Sequence, residues 1–499
     1  MNPLNLSSTI LFLVVAVYFL VLFFIARMTS KQASNLDFFN GSRQSPWFVV
    51  AFGMVGASLS GVTFLSVPGM VHSVQFSYFQ TVMGYALGYA VILYVLLPLY
   101  YRRNLISIYG YLFQRYGYYS QKTGSLFFIL SRIIGASFRM YLMTMVLHDF
   151  IFVYYGIPFW LTSLVSLMLI WSYTVKAGIK TIIWTDTLQT LFMIIAVIVA
   201  VISLASAMQL DFVAAINEIK NSDYSQVLFF SEGWSDKNNF YKQFLAGAFL
   251  AIVMTGLDQD MMQKNLSCRN LKESQKNIRW FFLILVIVNI IFLCLGALLY
   301  LYAQKFALNL PTNPSTGMLI TDKVFPFVVF ETMPAYMGIV FLIGLLAAAY
   351  STADSALTSL TTSFCVDVLG KINTAKRKRI MIHLSFTLVL FITIVVFRYI
   401  LEASVIQSLF TIAAYTYGPL LGLFAFGILS KRKIKDKAVP YLAIIAPVVT
   451  YFIDKYSEQL LFGYKFSFEL LLVNGLLMSI GLVLFSQKQL QNQQKSVTI

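Results

Sequence analysis

Residues 51–70 read AFGMVGASLSGVTFLSVPGM, an apolar segment that glycines and hydroxylic side chains interrupt near its middle. A second interrupted segment, FLAGAFLAIVMTGLDQDMMQ, covers residues 244–263 and carries Asp258, Gln259 and Asp260 shortly after its last glycine. Each segment is long enough to cross a hydrocarbon core of about 30 Å. Interrupted apolar segments at corresponding positions of two halves are typical of transporters built from inverted repeats, which bind their solute near the bilayer midplane. Glycines that only allow close helix packing are the alternative interpretation.

The composition of the chain is that of a membrane protein. Of its 499 residues, 59% are hydrophobic and 11% are charged, whereas soluble globular domains carry about a quarter charged residues. Apolar runs of span length recur along the chain, and we predict thirteen transmembrane helices. The predicted spans cover residues 7–26, 47–73, 76–101, 124–153, 158–175, 181–207, 241–262, 279–303, 332–369, 380–401, 404–429, 438–457 and 466–485.

The formal net charge of +16 is unevenly distributed along the chain. Lysines and arginines concentrate in the loops that an outside N-terminus would place in the cytoplasm, most densely in KRKR at 376–379 and KRKIKDK at 431–437. This is the positive-inside pattern of membrane proteins, and contact with anionic lipids explains it without a nucleic-acid partner. We therefore expect a multi-pass protein of the cell (inner) membrane, with its N-terminus outside and its C-terminus cytoplasmic. The first span lacks the flanks of a cleavable signal peptide, so we expect it to be retained.

Several function classes find no support in the sequence. There is no GxxxxGK[ST] phosphate loop, which disfavours transport driven by ATP. There is no HExxH pattern, and the three cysteines form neither a disulfide framework nor a metal-binding spacing. The spans contain no paired nucleophile and base, so we predict that the protein is not an enzyme.

The segment LLAAAYSTADSALTSLTT, residues 345–362, places many oxygens inside an apolar span. At 100° per residue, four hydroxyl side chains fall on one stripe of the helix, with Asp354 beside its edge. The four are Ser351, Thr352, Ser355 and Ser359. Such neutral hard oxygens suit a weakly held monovalent cation. Alternatively, these hydroxyls bond back to their own helix or join neighbouring helices.

Three further charged residues lie inside predicted spans. A carboxylate at the centre of a span costs at least about 2.5–3.5 kcal/mol, so Asp186 is expected to serve as a cation ligand or a proton site. A charge near the end of its helix is the alternative for this residue. Arg132 and Arg139 are two helical turns apart on one face. They can pair with Asp354, Asp186 or Asp149, or they can hold a substrate carboxylate with both guanidinium nitrogens.

Taken together, four stretches resemble the sodium:solute symporter family, which includes bacterial sodium–galactose, sodium–proline and sodium–sialic acid transporters. They are GASLSGVTF (56–64), WTDTLQ (184–189), DQDMMQKNL (258–266) and AAAYSTADSAL (347–357). The resemblance covers essentially the whole chain. It implies an all-α integral membrane protein with the LeuT-type fold, in which about thirteen transmembrane helices contain two inverted five-helix repeats.

The resemblance also implies how the chain divides. All 499 residues would form one transmembrane transporter domain. Its expected parts are an extra N-terminal helix and loop (1–46), the first inverted repeat (47–207), the second inverted repeat (241–429) and C-terminal helices with a tail (438–499).

A principal sodium site is implied by the same resemblance. It would use the backbone carbonyls of Gly56, Leu59 and Ala348 together with the hydroxyls of Ser351 and Thr352. A second sodium site, described for some family members, corresponds to Asp186, Ser351, Asp354 and Ser355. Asp354 stands where a hydroxyl can occur in the family, so it can strengthen cation binding or be neutralised by an arginine. The number of sodium ions per cycle stays open.

Solute contacts are implied at Ser58, Ser60 and Thr63 in the first interrupted span and at Gln80 in the next one. The sialic-acid transporters of the family place an arginine in the fourth span, and alignment on the Tyr-Leu pair at 141–142 puts Gly135 at that position. Arg139 lies one turn further on. It is the candidate for binding a solute carboxylate.

The function that the resemblance implies is sodium-coupled symport. The chain would import a small polar organic solute, namely a sugar, sialic acid or another carboxylate, by alternating access, with Na+ as the co-transported ion. It would work in the lipid bilayer as a monomer. A proton-coupled carrier of the same fold, with Asp186 and Asp354 as proton sites, is the alternative, and a solute sensor or transceptor is a third possibility.

Overall fold

The computed structural model describes most of the chain. The described residues are 8–29, 35–175, 178–231, 233, 236–314, 316–400, 405–461, 463–464, 466 and 468–487. Within them the protein is a bundle of α-helices with one short pair of strands. Residues 7, 401, 404 and 467 of the predicted spans and the predicted tail after residue 487 lie outside the described residues.

Within this part of the chain, eight helices are long and apolar enough to cross a membrane, or ten if each of two bent pairs is one span. Three shorter apolar helices accompany them, and each of the thirteen predicted spans coincides with one of these segments. We number the helices of these segments in chain order: α1 Ser8–Thr29, α2 Trp47–Ser58, α3 Gly61–Val74, α4 Tyr78–Arg102, α5 Tyr118–Phe150, α6 Phe159–Thr174, α7 Ile179–Ala207, α8 Phe240–Gly256, α9 Gln259–Asn265, α10 Leu271–Lys305, α11 Ala335–Val368, α12 Lys376–Ile400, α13 Val405–Leu429, α14 Val439–Lys455 and α15 Leu470–Leu484.

Short elements connect the membrane helices. The connecting α-helices are Asn35–Asn40, Gly110–Arg115, Phe212–Asn221, Val324–Thr332 and Ser457–Leu460. Strand β1 (Lys433–Ile434) pairs antiparallel with strand β2 (Ser486–Gln487). This pairing ties the loop after α13 to the residues that follow α15.

Both interrupted spans are broken helices. The axes of α2 and α3 differ by 56°, and those of α8 and α9 differ by 68°. At the first break, Leu59 and Ser60 leave the helical conformation with ψ angles of 73° and 179°. At the second, a π-helical turn over Ile252–Gly256 precedes an extended Asp258. Such breaks free backbone groups from helical hydrogen bonds, which is tolerated in a membrane only where protein or a cavity surrounds them.

Helix α11, which carries the hydroxyl stripe, lies at the centre of the bundle. Every residue from Gly344 to Ser363 is buried. Small side chains allow close packing there: a Cβ added to Gly61 of α3 would lie 3.6 Å from the Cβ of Ala349. The oxygens of this helix therefore face other protein groups and not lipid.

Contacts between loops are consistent with alternating spans. The Arg43 side chain donates to the Asn104 side chain at 2.6 Å, and β1 pairs with β2. Lys323, in the connection between α10 and α11, forms an ion pair at 2.7 Å with Asp149 in the last turn of α5. In each case the contacting segments are those that thirteen alternating spans place on one side of the membrane.

Candidate functional site

A cavity lies between the two broken helices and is completed by α4, α5, α10 and α13. Its empty space is about 1060 Å³ when the open mouth is included. Polar and aromatic side chains supply much of its wall. The polar and aromatic residues that line the cavity include Ser58, Ser60, Thr63, Tyr78, Tyr85, Tyr89, Ser131, Arg132, Arg139, Thr255, Asp258, Asn289, Thr416 and Tyr417.

Four of the five residues predicted to contact solute line this cavity: Ser58, Ser60, Thr63 and Arg139. Gln80 is not among the lining residues. Its Nε2 donates to the carbonyl of Asn238 at 2.8 Å, and its Oε1 accepts from the amide of Phe229 at 3.0 Å. The structure thus corrects the placement of Gln80, because the loop between α7 and α8 folds onto it and uses its amide group.

The two buried arginines of α5 have different surroundings. Arg132 forms an ion pair with Asp260 in the first turn of α9. This corrects the predicted partners Asp354, Asp186 and Asp149. The last of these pairs instead with Lys323 and Arg398 at the other end of the bundle, at 2.7 and 3.2 Å.

Arg139 lines the cavity and is only 7% exposed. Among the described residues, no carboxylate forms an ion pair with it, and its Nε makes no hydrogen bond. A buried guanidinium is costly unless an anion or acceptor pairs with it. One turn earlier, Gly135 also lines the cavity, and a Cβ added to it would meet no atom within 4 Å. The cavity wall therefore has the Arg139 guanidinium next to unfilled space at Gly135.

The residues of the predicted principal sodium site come together where α2 ends against α11. A Cβ added to Gly56 would lie 3.4 Å from the Oγ of Ser351. In the described chain, the carbonyls of Gly56 and Leu59 accept no hydrogen bond, because the last carbonyls of a helix have no donor from a following turn. On α11, the Oγ1 of Thr352 lies 3.4 Å from the carbonyl oxygen of Ala348.

At the second break, side chains donate hydrogen bonds to the backbone carbonyls. The phenol of Tyr100 donates to the carbonyl of Gly256 at 2.9 Å, and the phenol of Tyr109 donates to that of Leu257 at 3.0 Å. The Oδ1 of Asp258 caps α9 by accepting from the amides of Asp260 and Met261, while its Oδ2 accepts from the phenol of Tyr417 at 2.5 Å. Side chains therefore satisfy the backbone of this break.

The hydroxyl stripe of α11 divides into two parts. Ser351 donates to Oδ1 of Asp186 at 2.8 Å, and Ser355 donates to Oδ2 of the same carboxylate at 3.3 Å. Ser359 instead donates to the carbonyl of Ala356, three residues earlier in its own helix. The interpretation of hydroxyls that bond back to their helix is thus correct for Ser359 and for Thr352, whose Oγ1 donates to the carbonyl of Ala348 at 3.4 Å, whereas Ser351 and Ser355 face Asp186.

A buried lysine completes the surroundings of Asp186. The Nζ of Lys264 lies 2.6 Å from Oδ2 of Asp186, and both side chains are essentially inaccessible to solvent. This pair is not among the contacts predicted from the sequence, although both residues stand in stretches that carry the family resemblance. A lysine and an aspartate that each adjoin an apolar run were the available signal, since each needs an opposite charge when buried.

Asp354, predicted to bind a cation or pair with an arginine, has neutral partners. The phenol of Tyr173 in α6 donates to its Oδ2 at 2.9 Å, and the amide of Ser355 donates to its Oδ1 at 2.6 Å. No arginine forms an ion pair with Asp354 among the described residues. The arginine alternative is therefore wrong in this structure.

Two solved structures have the same fold. A Na+-coupled sialic acid symporter in a substrate-bound, outward-open state gives a TM-score of 0.77 at 20% identity, covering 95% of this chain and 96% of that one. Mhp1, a nucleobase-cation-symport-1 family transporter in a closed conformation, gives 0.58 at 13% identity, covering 89% and 93%. The predicted all-α, LeuT-type fold is confirmed.

Curated relatives match along most of the chain. The sodium/sialic acid symporter NanT of Aliivibrio fischeri is 25% identical over 431 residues, which cover 84% of this chain and 82% of that protein. The sodium/sialic acid symporter SiaT of Proteus mirabilis is 25% identical over 467 residues, covering 91% and 88%. The human sodium/iodide cotransporter is 23% identical over 414 residues, covering 79% and 61%.

The model of the sodium:solute symporter family matches residues 38–439. This range contains both broken helices, the cavity between them and the oxygen-rich helix α11. The protein therefore belongs to the sodium:solute symporter family.

Proposed function

We propose that the chain is a sodium-coupled symporter that imports a small polar solute with a carboxylate group, and that sialic acid is the solute to test first. Arg139 carries this proposal, because its buried guanidinium faces the cavity without an anionic partner among the described residues. Planar guanidinium groups bind carboxylates with two parallel hydrogen bonds. The names of NanT and SiaT, which are sodium/sialic acid symporters, support this choice of solute.

The solute would lie against the first broken helix. Ser58, Ser60 and Thr63 line the same cavity as Arg139, so hydroxyl groups surround the space next to the guanidinium. Hydroxyls can donate and accept hydrogen bonds, which suits the hydroxyl and amide groups of a sugar acid. Gln80 is not part of this proposed site.

The transported sodium ion would bind where α2 ends. Its proposed ligands are the carbonyls of Gly56, Leu59 and Ala348 and the hydroxyls of Ser351 and Thr352. The unpaired carbonyls at the end of α2 support this assignment, and so does the position of the Ser351 Oγ 3.4 Å from a Cβ added to Gly56. Five neutral oxygens bind a monovalent cation weakly enough for release.

Coupling follows from the shared helix break. Sodium bound to Gly56 and Leu59 would fix the angle between α2 and α3, and that angle positions Ser58, Ser60 and Thr63 for the solute. Each sodium ion that moves inward down a membrane potential releases about 2.3 kcal/mol per 100 mV. That energy is sufficient to concentrate a solute inside the cell.

The proposal extends to topology and organisation. An outside N-terminus and an inner-membrane location follow from the basic stretches at 376–379, which begin α12, and at 431–437, which follow α13. The two inverted repeats would cover 47–207 and 241–429, so that each begins with a broken helix. One chain supplies every proposed ligand, which supports a functional monomer.

Uptake into proteoliposomes tests the function. We expect sialic acid to enter when an inward sodium gradient is present and not when choline replaces sodium. We also expect the wild type to prefer sialic acid over its neutral methyl ester by about 10–100-fold, the range of a charge-assisted bidentate contact. The Arg139→Gln variant should lose this preference, because it removes the charge and keeps hydrogen-bonding capacity.

The exposed Arg279 provides a matched control, since Arg279→Gln removes a charge far from the cavity and should leave the preference intact. A retained preference in Arg139→Gln would contradict the proposed role of Arg139. Uptake driven by a pH gradient without sodium would favour the proton-coupled carrier instead.

A further inference from the structure

Lys264 lies where a second cation would be expected, between Asp186 and the hydroxyls of α11. We propose that the ammonium group of Lys264 occupies this second cation position permanently, so that the transporter binds and couples one sodium ion per cycle. This inference rests on the proposed sodium-coupled function and specifies its stoichiometry. It makes Lys264 a residue that determines how many ions the site accepts.

Three hydrogen bonds already engage the carboxylate of Asp186. Lys264 donates to Oδ2 at 2.6 Å, and Ser355 donates to the same oxygen at 3.3 Å. Ser351 donates to Oδ1 at 2.8 Å. A sodium ion bound by this carboxylate and these two hydroxyls would have to replace the ammonium group, because both would contact the same oxygens.

Lys264 is also held in place by its backbone. It lies in the last turn of α9, whose first turn is capped by Asp258. Its own carbonyl accepts from both the amide of Ser267 at 3.1 Å and the Ser267 hydroxyl at 2.6 Å. Its side chain is 1% exposed. Removing the ammonium from Asp186 would leave a buried carboxylate without its partner, which is strongly unfavourable.

The charges of the cluster favour one sodium ion and not two. With both carboxylates ionised, Asp186 and Asp354 contribute two negative charges and Lys264 contributes one positive charge, which leaves one negative charge. Neutral groups, the Tyr173 phenol and the Ser355 amide, are the hydrogen-bond donors to Asp354. One sodium ion bound at Ser351 and Thr352 would neutralise the cluster, whereas a second ion would leave an uncompensated positive charge in a buried region.

Direct sodium binding tests this stoichiometry without knowledge of the solute. We would measure equilibrium binding of radioactive sodium ions to the purified protein in detergent by scintillation proximity, with choline maintaining the ionic strength. The wild type should bind one sodium ion per molecule with a Hill coefficient near one. Lys264→Met should bind two ions cooperatively, because the cluster then carries two negative charges and has an empty position.

Two further variants separate charge from folding. Lys264→Arg keeps a cation beside Asp186 and should still bind one ion. Lys242→Met removes another buried lysine, which pairs with Glu469 away from the cluster. This variant should still bind one sodium ion. If Lys264→Met does not give folded protein, the number of sodium ions that the wild type binds tests the inference alone.

Two ions bound by the wild type would overturn the inference, and so would one ion bound by a folded Lys264→Met. In both cases sodium still binds, so the proposed sodium-coupled function survives. A wild type that binds no sodium would instead contradict the proposed function itself.

Discussion

The two broken helices differ in how their backbone is satisfied. At the first break, the carbonyls of Gly56 and Leu59 accept no hydrogen bond within the described chain. At the second, tyrosine phenols donate to the corresponding carbonyls of Gly256 and Leu257. The wall near the first break offers hydroxyls, whereas the second carries the charges of Asp258, Asp260 and Lys264 on and beside α9.

This difference indicates that the two breaks have different roles in the protein. The first break keeps its oxygens available for an ion and a solute. The second break uses its polar groups inside the protein: Asp260 pairs with Arg132, and Lys264 pairs with Asp186. The second break therefore stabilises the cavity wall, and substitutions at the two breaks should have separable effects on stability and on sodium binding.

The largest effect is expected from Asp260→Asn at the second break. It leaves the buried guanidinium of Arg132 without its carboxylate, and breaking one side of a buried ion pair costs about 3–5 kcal/mol. Unfolding in detergent, followed by heat or denaturant, measures this loss. The exposed carboxylate of Glu218 gives the control Glu218→Gln. A loss below about 1 kcal/mol, the value typical of exposed ion pairs, would contradict the structural role of this pair.

Gly56→Ala should have the next largest effect, and it tests the first break. An added Cβ would overlap the Thr190 hydroxyl, which accepts from the Gly56 amide at 3.0 Å, so α2 must move away from α7. We expect the upper part of the about 1–3 kcal/mol range of overpacked cores, together with weaker sodium binding, because the Gly56 carbonyl moves too. Sodium titrations of thermal stability report both quantities.

The control for Gly56→Ala is Gly135→Ala, since an added Cβ at Gly135 meets no atom within 4 Å. It should lower neither the stability nor the sodium affinity, because Ala is favoured over Gly inside a helix by about 0.5–1 kcal/mol. Unchanged sodium binding in Gly56→Ala would remove this glycine from the proposed site.

Tyr109→Phe is expected to have the smallest effect. It removes the donor to the Leu257 carbonyl at the second break and should cost the lower part of about 1–3 kcal/mol, because a carbonyl tolerates a missing donor better than a buried charge does. Sodium affinity should stay the same. Tyr118→Phe, which removes an exposed hydroxyl, is the control. A change in sodium affinity in Tyr109→Phe would show that the second break also contributes to ion binding.

Much of the architecture could be predicted from the sequence, because the bilayer restricts it strongly. Apolar runs of span length gave the thirteen segments, and glycines followed by polar residues gave both breaks. The 3.6-residue period placed Ser351 and Ser355 on one face of α11, and the structure points both at Asp186. These features depend on local sequence and on helix geometry alone.

The pairings of charges could not be predicted in the same way. Arg132 contacts Asp260 because the axis of α9 turns by 68° from that of α8. The sequence of neither helix specifies this angle. Lys264 reaches Asp186 across 78 residues of chain for the same reason. Gln80 was misplaced because a polar outer loop, which sequence patterns describe poorly, folds back onto it. Tertiary packing decides all three cases.

The open space above Gly135 has a practical consequence for engineering. Many glycines of the bundle sit against neighbouring backbone, as Gly84 does against Phe244, and cannot be enlarged without moving a helix. Gly135 faces the cavity and has no such neighbour. A series of increasingly large side chains at this one position would shrink the cavity stepwise while the bundle keeps its packing. Substitutions at this single residue could thus change the range of solutes that the transporter accepts.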